Sequence, residues 1–185
     1  MIRPILAFGH PSLRKKSENI TSDFPELKTL IADLYETMNN ANGVGLAAIQ
    51  VNIPANVLVV NADPFSEEYP DLKNFKKTYI NLEILEESGE EWVYNEGCLS
   101  IPTINEDVLR KPTIKIEYDD ENFVHHTETV SGMVARVLQH EYDHLQGRVF
   151  TDNLSSLRRM LLRKKLDQIS KGQISGKYRM NHPRK

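Results

Sequence analysis

The chain has 185 residues, a length suited to one domain with a sizeable core, and a formal net charge of −3. Hydrophobic residues make up 39%, enough to bury such a core, which argues against a disordered chain. There is no apolar run of about 18 residues, no signal-peptide core at the N-terminus, and one cysteine, so the expected setting is a reducing cytoplasm.

Pro25 suits a first helical turn, and Leu27, Leu30, Ile31, Leu34 and Met38 make one stripe, which predicts a helix over 25–39. The run from Gly43 to Gln50 follows. Gly43 and Gly45 remove side chains where backbone could approach a ligand, and Gln50 supplies an amide donor. The pattern lacks the third glycine of a dinucleotide fingerprint. Short strands are predicted at 57–61, 79–85 and 91–94, with a polar surface loop over 64–76.

Cys98 lies in Asn95-Glu96-Gly97-Cys98-Leu99-Ser100-Ile101-Pro102, which reads as a loop or strand end. A hairpin is predicted from 113–118 and 123–130 around Asp119, Asp120, Glu121 and Asn122. Beyond it, Met133, Val134, Val137, Leu138 and Leu145 recur at helical spacing. Ser131 and Gly132 are start signals and Gly147 a C′ residue, so an amphipathic helix of about four turns is expected.

That helix carries His140-Glu141-Tyr142-Asp143-His144. Positions i and i+4 share a face, so both imidazoles reach one metal ion, with Glu141 beside them to hold and deprotonate a water. Asp143 points away and is expected to be solvated or paired. A catalytic site of this kind needs a third protein ligand. Downstream, Phe150 stands where a third histidine would fall, and the only acids are Asp152 and Asp167. The third ligand must lie upstream, and Cys98 is the candidate. A thiolate and two imidazoles suit Fe(II) or Zn(II) rather than Mg(II) or Ca(II).

Three segments together resemble the peptide deformylase family. They are Gly43-Val44-Gly45-Leu46-Ala47-Ala48-Ile49-Gln50, then Glu96-Gly97-Cys98-Leu99-Ser100, then His140-Glu141-Tyr142-Asp143-His144-Leu145-Gln146-Gly147. The resemblance spans residues 2–171. It implies hydrolysis of the N-formyl group of formylmethionine on new proteins, with Fe(II) bound or Zn, Ni or Co as substitutes. It assigns Cys98, His140 and His144 to the metal and Glu141 to proton transfer. It gives Gln50 and the backbone N–H of Leu99 to the formyl oxygen. Gly43, Val44 and Gly45 would meet the peptide backbone, and Tyr94, Glu96, Met133 and Val137 the methionine pocket, with the stem of Arg136 at its rim. Arg110 matches an arginine often found after the cysteine motif. Asn105 departs from the family, which often has arginine there.

The last helix is predicted over 156–170, with Leu157, Met160, Leu161 and Ile169 packed on the body. Residues 156–185 hold ten Lys and Arg against one acid, Asp167, a net of +9; the other 13 basic and 25 acidic residues give −12. A solvated face explains much of this charge. The other reading is contact with ribosomal RNA. The expected organisation is a single α+β catalytic domain over 1–171, with antiparallel strands around a central metal-binding helix and a C-terminal helix, followed by a flexible basic tail over 172–185. No membrane contact is expected. Two rival functions are an HExxH peptidase of other specificity, with an acid or histidine as third ligand, and a structural zinc site completed by His10, His125, His126 or His182.

Overall fold

The computed structural model describes residues 1–183. Arg184 and Lys185, the end of the basic tail, lie outside the described residues.

The core element is a five-stranded antiparallel sheet in the order β2 (Gly45–Ala47), β3 (Val57–Asn61), β4 (Lys76–Ser88), β7 (Thr113–Asp119), β8 (His125–Ser131). Strand β4 is long enough to join both halves: its first residues pair with β3 and the rest with β7. The register shifts between Ile80 and Glu83. Asn81 sits in this irregularity at φ 54, a conformation asparagine tolerates, and its amide donates to the Ile20 carbonyl and to Asp119.

Helix α1 (Leu27–Asn40) packs Leu30, Ile31, Leu34 and Met38 against β2 and β3. It starts two residues later than predicted. Glu26 takes a left-handed conformation at its N-cap, so Pro25 remains outside the helix. Segment 64–76 contains two single 3-10 turns, and Lys76 already belongs to β4.

Strands β5 (Trp92–Cys98) and β6 (Ile101–Arg110) form a separate hairpin. The sequence reading missed β6. Its period of two is present, but Glu106 and Arg110 sit on the buried side beside Ile104 and Val108, which hides the alternation from a hydrophobic pattern.

Helix α2 (Gly132–Leu145) runs between the main sheet and this hairpin, with Gly147 as a left-handed C′ residue. It is not amphipathic in the expected sense. Every residue from Met133 to Leu145 is buried except Tyr142, which is half-buried. Val134, Val137 and Leu138 pack on the sheet. Two of its buried polar residues are well partnered: Gln139 donates to the Lys111 carbonyl, and Asp143 accepts from Arg110 and Asn153 and pairs with Arg148.

Helix α3 (Ser156–Ser170) has the predicted bounds but a different inner face. Leu166 and Ile169 are buried, whereas Leu157, Met160 and Leu161 are mostly exposed. Arg158 turns to Glu106 on β6 in a bidentate pair. With Arg158 facing β6, Leu157, Met160 and Leu161 face outward.

From Lys171 to Pro183 the described chain folds back onto the body. Residues Met180–Asn181 form β9, parallel to β1 (Ile5–Leu6), and the Nδ1 of His182 bonds the Ile169 carbonyl. No helix among the described residues is long and apolar enough to cross a membrane.

Candidate active site

Helix α2 lies with one end beneath a cavity of about 610 Å³. Two turns of that helix place His140 and His144 on one face, with ring centroids 5.3 Å apart. Strand β5 delivers the third group. A register shift between Gly97 and Cys98 interrupts the β5–β6 ladder, and Leu99 and Ser100 make the tight connection to Ile101. Such a bulge re-aims the side chain next to it. The Sγ of Cys98 comes to 3.2 Å from His144 Nε2, and one donor atom from each of Cys98, His140 and His144 lies within 4.8 Å of the others. Among the described residues this is the one cluster of His, Cys, Asp and Glu arranged to hold a metal. It includes no acid, and none of His10, His125, His126 or His182.

The electrostatics fit a cation. Burial, then the charges near His140 and Arg110, hold the His144 ring well below its ordinary value, so it stays neutral with a lone pair to offer. Burial also lowers His140, but bonds to Cys98 and Glu96 outweigh it and raise the ring above its ordinary value. The Nδ1 of His140 bonds Glu96 at 3.0 Å, which turns Nε2 toward the thiol. The buried Nδ1 of His144 and Oε2 of Glu141 have no partner among the described residues. Burial pushes Glu141 up to about 7, near the point where a general base works best at neutral pH.

Gln50 is held in place by accepting a bond from the Ala47 N–H (2.8 Å). Its Nε2 faces Ser100 Oγ at 3.3 Å and Cys98 Sγ at 3.9 Å. Gly43, Val44, Gly45, Gln50, Tyr94, Glu96, Cys98, Leu99, Met133, Val137, His140 and Glu141 all line the cavity; His144 lies behind them, fully buried.

Two lining residues turn their charged groups away from the cavity. Glu96 borders the cavity, but its carboxylate turns inward. It accepts from Arg110 Nε and Nη2, from Arg136 Nη1 and from His140. These partners, against the opposing effect of burial, hold it well below the usual carboxylate range. Its carboxylate is therefore engaged behind the histidine while the residue itself lines the cavity. Arg136 also lines the cavity, but its guanidinium is tied up: the residue is buried, donates to the Trp92 and Val108 carbonyls, and stacks on the Trp92 ring at 4.3 Å. The sequence also missed Phe65 and segment 175–178 as cavity walls. Nothing local marks them; they arrive there through the tertiary fold.

A cysteine sulfur and two helix imidazoles, a buried glutamate beside them and an adjoining cavity define a metallohydrolase of the HExxH class. A family model described as polypeptide deformylase matches residues 2–160. The peptide deformylase of Flavobacterium johnsoniae is 54% identical over 187 residues, covering 97% of this chain and 95% of the relative. That of Christiangramia forsetii is 50% identical, covering 99% and 97%. Among solved structures, peptide deformylase from Legionella pneumophila superposes with a TM-score of 0.80 at 35% identity, covering 94% of this chain and 98% of that one. The chain belongs to the peptide deformylase family, a family of metalloenzymes.

Proposed function

We propose that Cys98, His140 and His144 hold a divalent metal with which this chain carries out the reaction of its family. That reaction is hydrolysis of the N-formyl group from the formylmethionine end of newly made proteins, releasing formate. The observation that carries the assignment is the three-donor cluster within 4.8 Å, placed beside the buried Glu141 at the floor of the cavity.

The thiolate and two imidazoles fit Fe(II) first, with Zn, Ni or Co as substitutes. When bound, the metal supplies Lewis acidity toward the attacking water and the formyl oxygen. Glu141 takes a proton from the water and returns it to the leaving amine. The Nε2 of Gln50 and the N–H of Leu99 donate to the formyl oxygen as negative charge develops on it. Gly43, Val44 and Gly45 lie along one wall, where extended peptide backbone can be received. Tyr94, Met133 and Val137 give an apolar recess suited to an unbranched thioether. The setting is the reducing cytoplasm, where a lone thiolate ligand stays reduced.

The outward face of α3 carries exposed Arg163 and Lys164 beside exposed Leu157, Met160 and Leu161. We assign this face, with the +9 charge of residues 156–185, to contact with ribosomal RNA.

A formate-release assay on formyl-Met peptides, with acetyl-Met peptides as control, tests the reading. Release from the formyl series alone is expected. Equal cleavage of both series, or cleavage inside the peptide, would return the chain to general peptidase chemistry.

A further inference from the structure

The connection Leu99–Ser100 carries the expected oxyanion donor and directly follows the thiolate ligand, yet it is only two residues long. Three bonds from three separate elements hold it. Gln50 Nε2 faces Ser100 Oγ at 3.3 Å, and the Phe8 N–H, just past β1, donates to the Ser100 carbonyl at 2.8 Å. The third comes from far along the chain: the hydroxyl of Tyr178 donates to the Leu99 carbonyl at 2.7 Å, across 79 residues.

The segment that brings Tyr178 there is itself fixed. Ile5 and Ala7 donate to the carbonyls of Arg179 and Asn181 at 2.9 Å each, so β1 and β9 are laced together just after Tyr178. Just before it, Gly176 lies flat on the ring. A β-carbon at residue 176 would meet the Tyr178 ring at 2.5 Å, and the Gly176 N–H bonds the Met180 sulfur at 3.1 Å. Ser175, Gly176, Lys177 and Tyr178 complete one wall of the cavity.

We infer that the C-terminal strap is part of the active site, and that Tyr178 is a positioning residue that fixes Leu99 so that its N–H meets the formyl oxygen. The inference rests on the deformylase reading for what Leu99 does. A phenol at neutral pH is a donor, and the Leu99 carbonyl is an acceptor. Losing the bond frees the Leu99–Ser100 peptide and, through the Leu99 Cα, loosens the neighbouring Cys98–Leu99 peptide whose N–H is the donor that acts mainly in the transition state. Such a loss lowers kcat and leaves KM near its original value.

Two variants test it by different routes. Tyr178→Phe keeps the ring and the wall and deletes only the hydroxyl. Gly176→Ala leaves Tyr178 chemically intact but pushes its ring away. Both are compared with the parent in the nickel-loaded form, by formate release per bound metal, metal content, melting temperature and amide hydrogen exchange over residues 98–101. In Tyr178→Phe, kcat is expected to fall about fivefold, the worth of one net hydrogen bond, with KM and metal content held. Exchange over 98–101 is expected to rise in both variants. A purely structural role would instead lower melting temperature and metal content while turnover per bound metal stayed at the parent level, and that result overturns the inference. Unchanged exchange in both variants overturns the pinning itself. If the parent released no formate, the assignment of the reaction would fail, while exchange would still report whether Tyr178 holds the Leu99 segment.

Discussion

The carboxylate of Glu141 occupies the space that a side chain at residue 45 would need. Its Oε1 lies 2.6 Å, and its Cγ 2.8 Å, from where a β-carbon would stand on Gly45. Gly45 is not among the glycines at positive φ, so the requirement here is room rather than backbone freedom. The glycine pattern read from sequence as space for a ligand is thus, at this position, also space for the Glu141 carboxylate.

Replacing that glycine is expected to act on chemistry before it acts on folding. In Gly45→Ala the methyl group displaces a buried carboxylate that has little space to move. A shift of about 1 Å in a catalytic group costs on the order of 100-fold in rate. Turnover is expected to fall by about that factor with the metal retained. Formate release per bound metal checks it, and a variant with normal turnover would show that Glu141 tolerates the shift.

Glu141→Gln keeps the size and the fit beside Gly45 and removes the proton acceptor. The cluster of Cys98, His140 and His144 does not include Glu141, so metal content should hold. Turnover should fall about 10²–10⁴-fold. The parent needs Glu141 deprotonated, so its rate should drop on the acid side. Burial, the largest influence on Glu141, raises that point to about 7, and a cation nearby moves it lower. The acid limb of the kcat/KM profile should therefore lie at or below about 7, and Glu141→Gln should lose it.

Glu96 should matter for metal and fold rather than for substrate. It orients His140 and neutralises the buried Arg110 and Arg136. Its pKa in the fold lies below the ordinary value, so this stabilisation is full above the ordinary carboxylate range and is lost only as pH falls below it. In Glu96→Gln, metal affinity is expected to drop about 10–100-fold by competitive chelation, as for other partners of metal-bound histidines. The melting temperature should fall too, because buried Arg136 loses its counter-charge and buried Arg110 is left with Asp143 alone. A change confined to KM would put Glu96 back on the methionine.

The metal's identity should show in air. With Fe(II) on the Cys98 thiolate, both metal and sulfur are open to oxidation, so activity should decay in aerated buffer. Reloading with Ni(II) or Co(II) should give a longer-lived enzyme. Equal lifetimes for the iron and nickel forms would argue against iron–thiolate sensitivity.

The chemistry-bearing residues were legible because each sits in a short local pattern: two histidines at i and i+4, a cysteine in a glycine-approached turn, Gln50 at the end of a glycine run. Helices were legible through their stripes and caps, and α3 was placed at 156–170 as observed. What failed was whatever depends on a distant partner. Strand β6 escaped because Glu106 and Arg110 fill inward positions, each neutralised by a residue far away in sequence. On α3, Arg158 faces Glu106, and Leu157, Met160 and Leu161 face outward against expectation. Arg136 and Glu96 line the pocket, but their inward-turned charged groups escaped notice because the partners, Trp92 and His140, lie more than forty positions away. Strand β9 escaped because two residues leave no periodicity to read.

The folded strap changes how contact with the ribosome must be tested. Truncation after Ser170 would remove the exposed charge of the tail, but it would also remove Tyr178 and a wall of the cavity, so binding and turnover would change together. Arg163 and Lys164 offer a cleaner route. Both are exposed on α3, and neither borders the catalytic cavity. In Arg163→Gln with Lys164→Gln, formyl-Met-peptide turnover is expected to match the parent. Ribosome affinity should weaken, and the dependence of log affinity on log salt should become shallower by about one for each phosphate that is no longer neutralised. An unchanged salt slope would remove these two residues from any role at RNA and leave the α3 face a solvated surface.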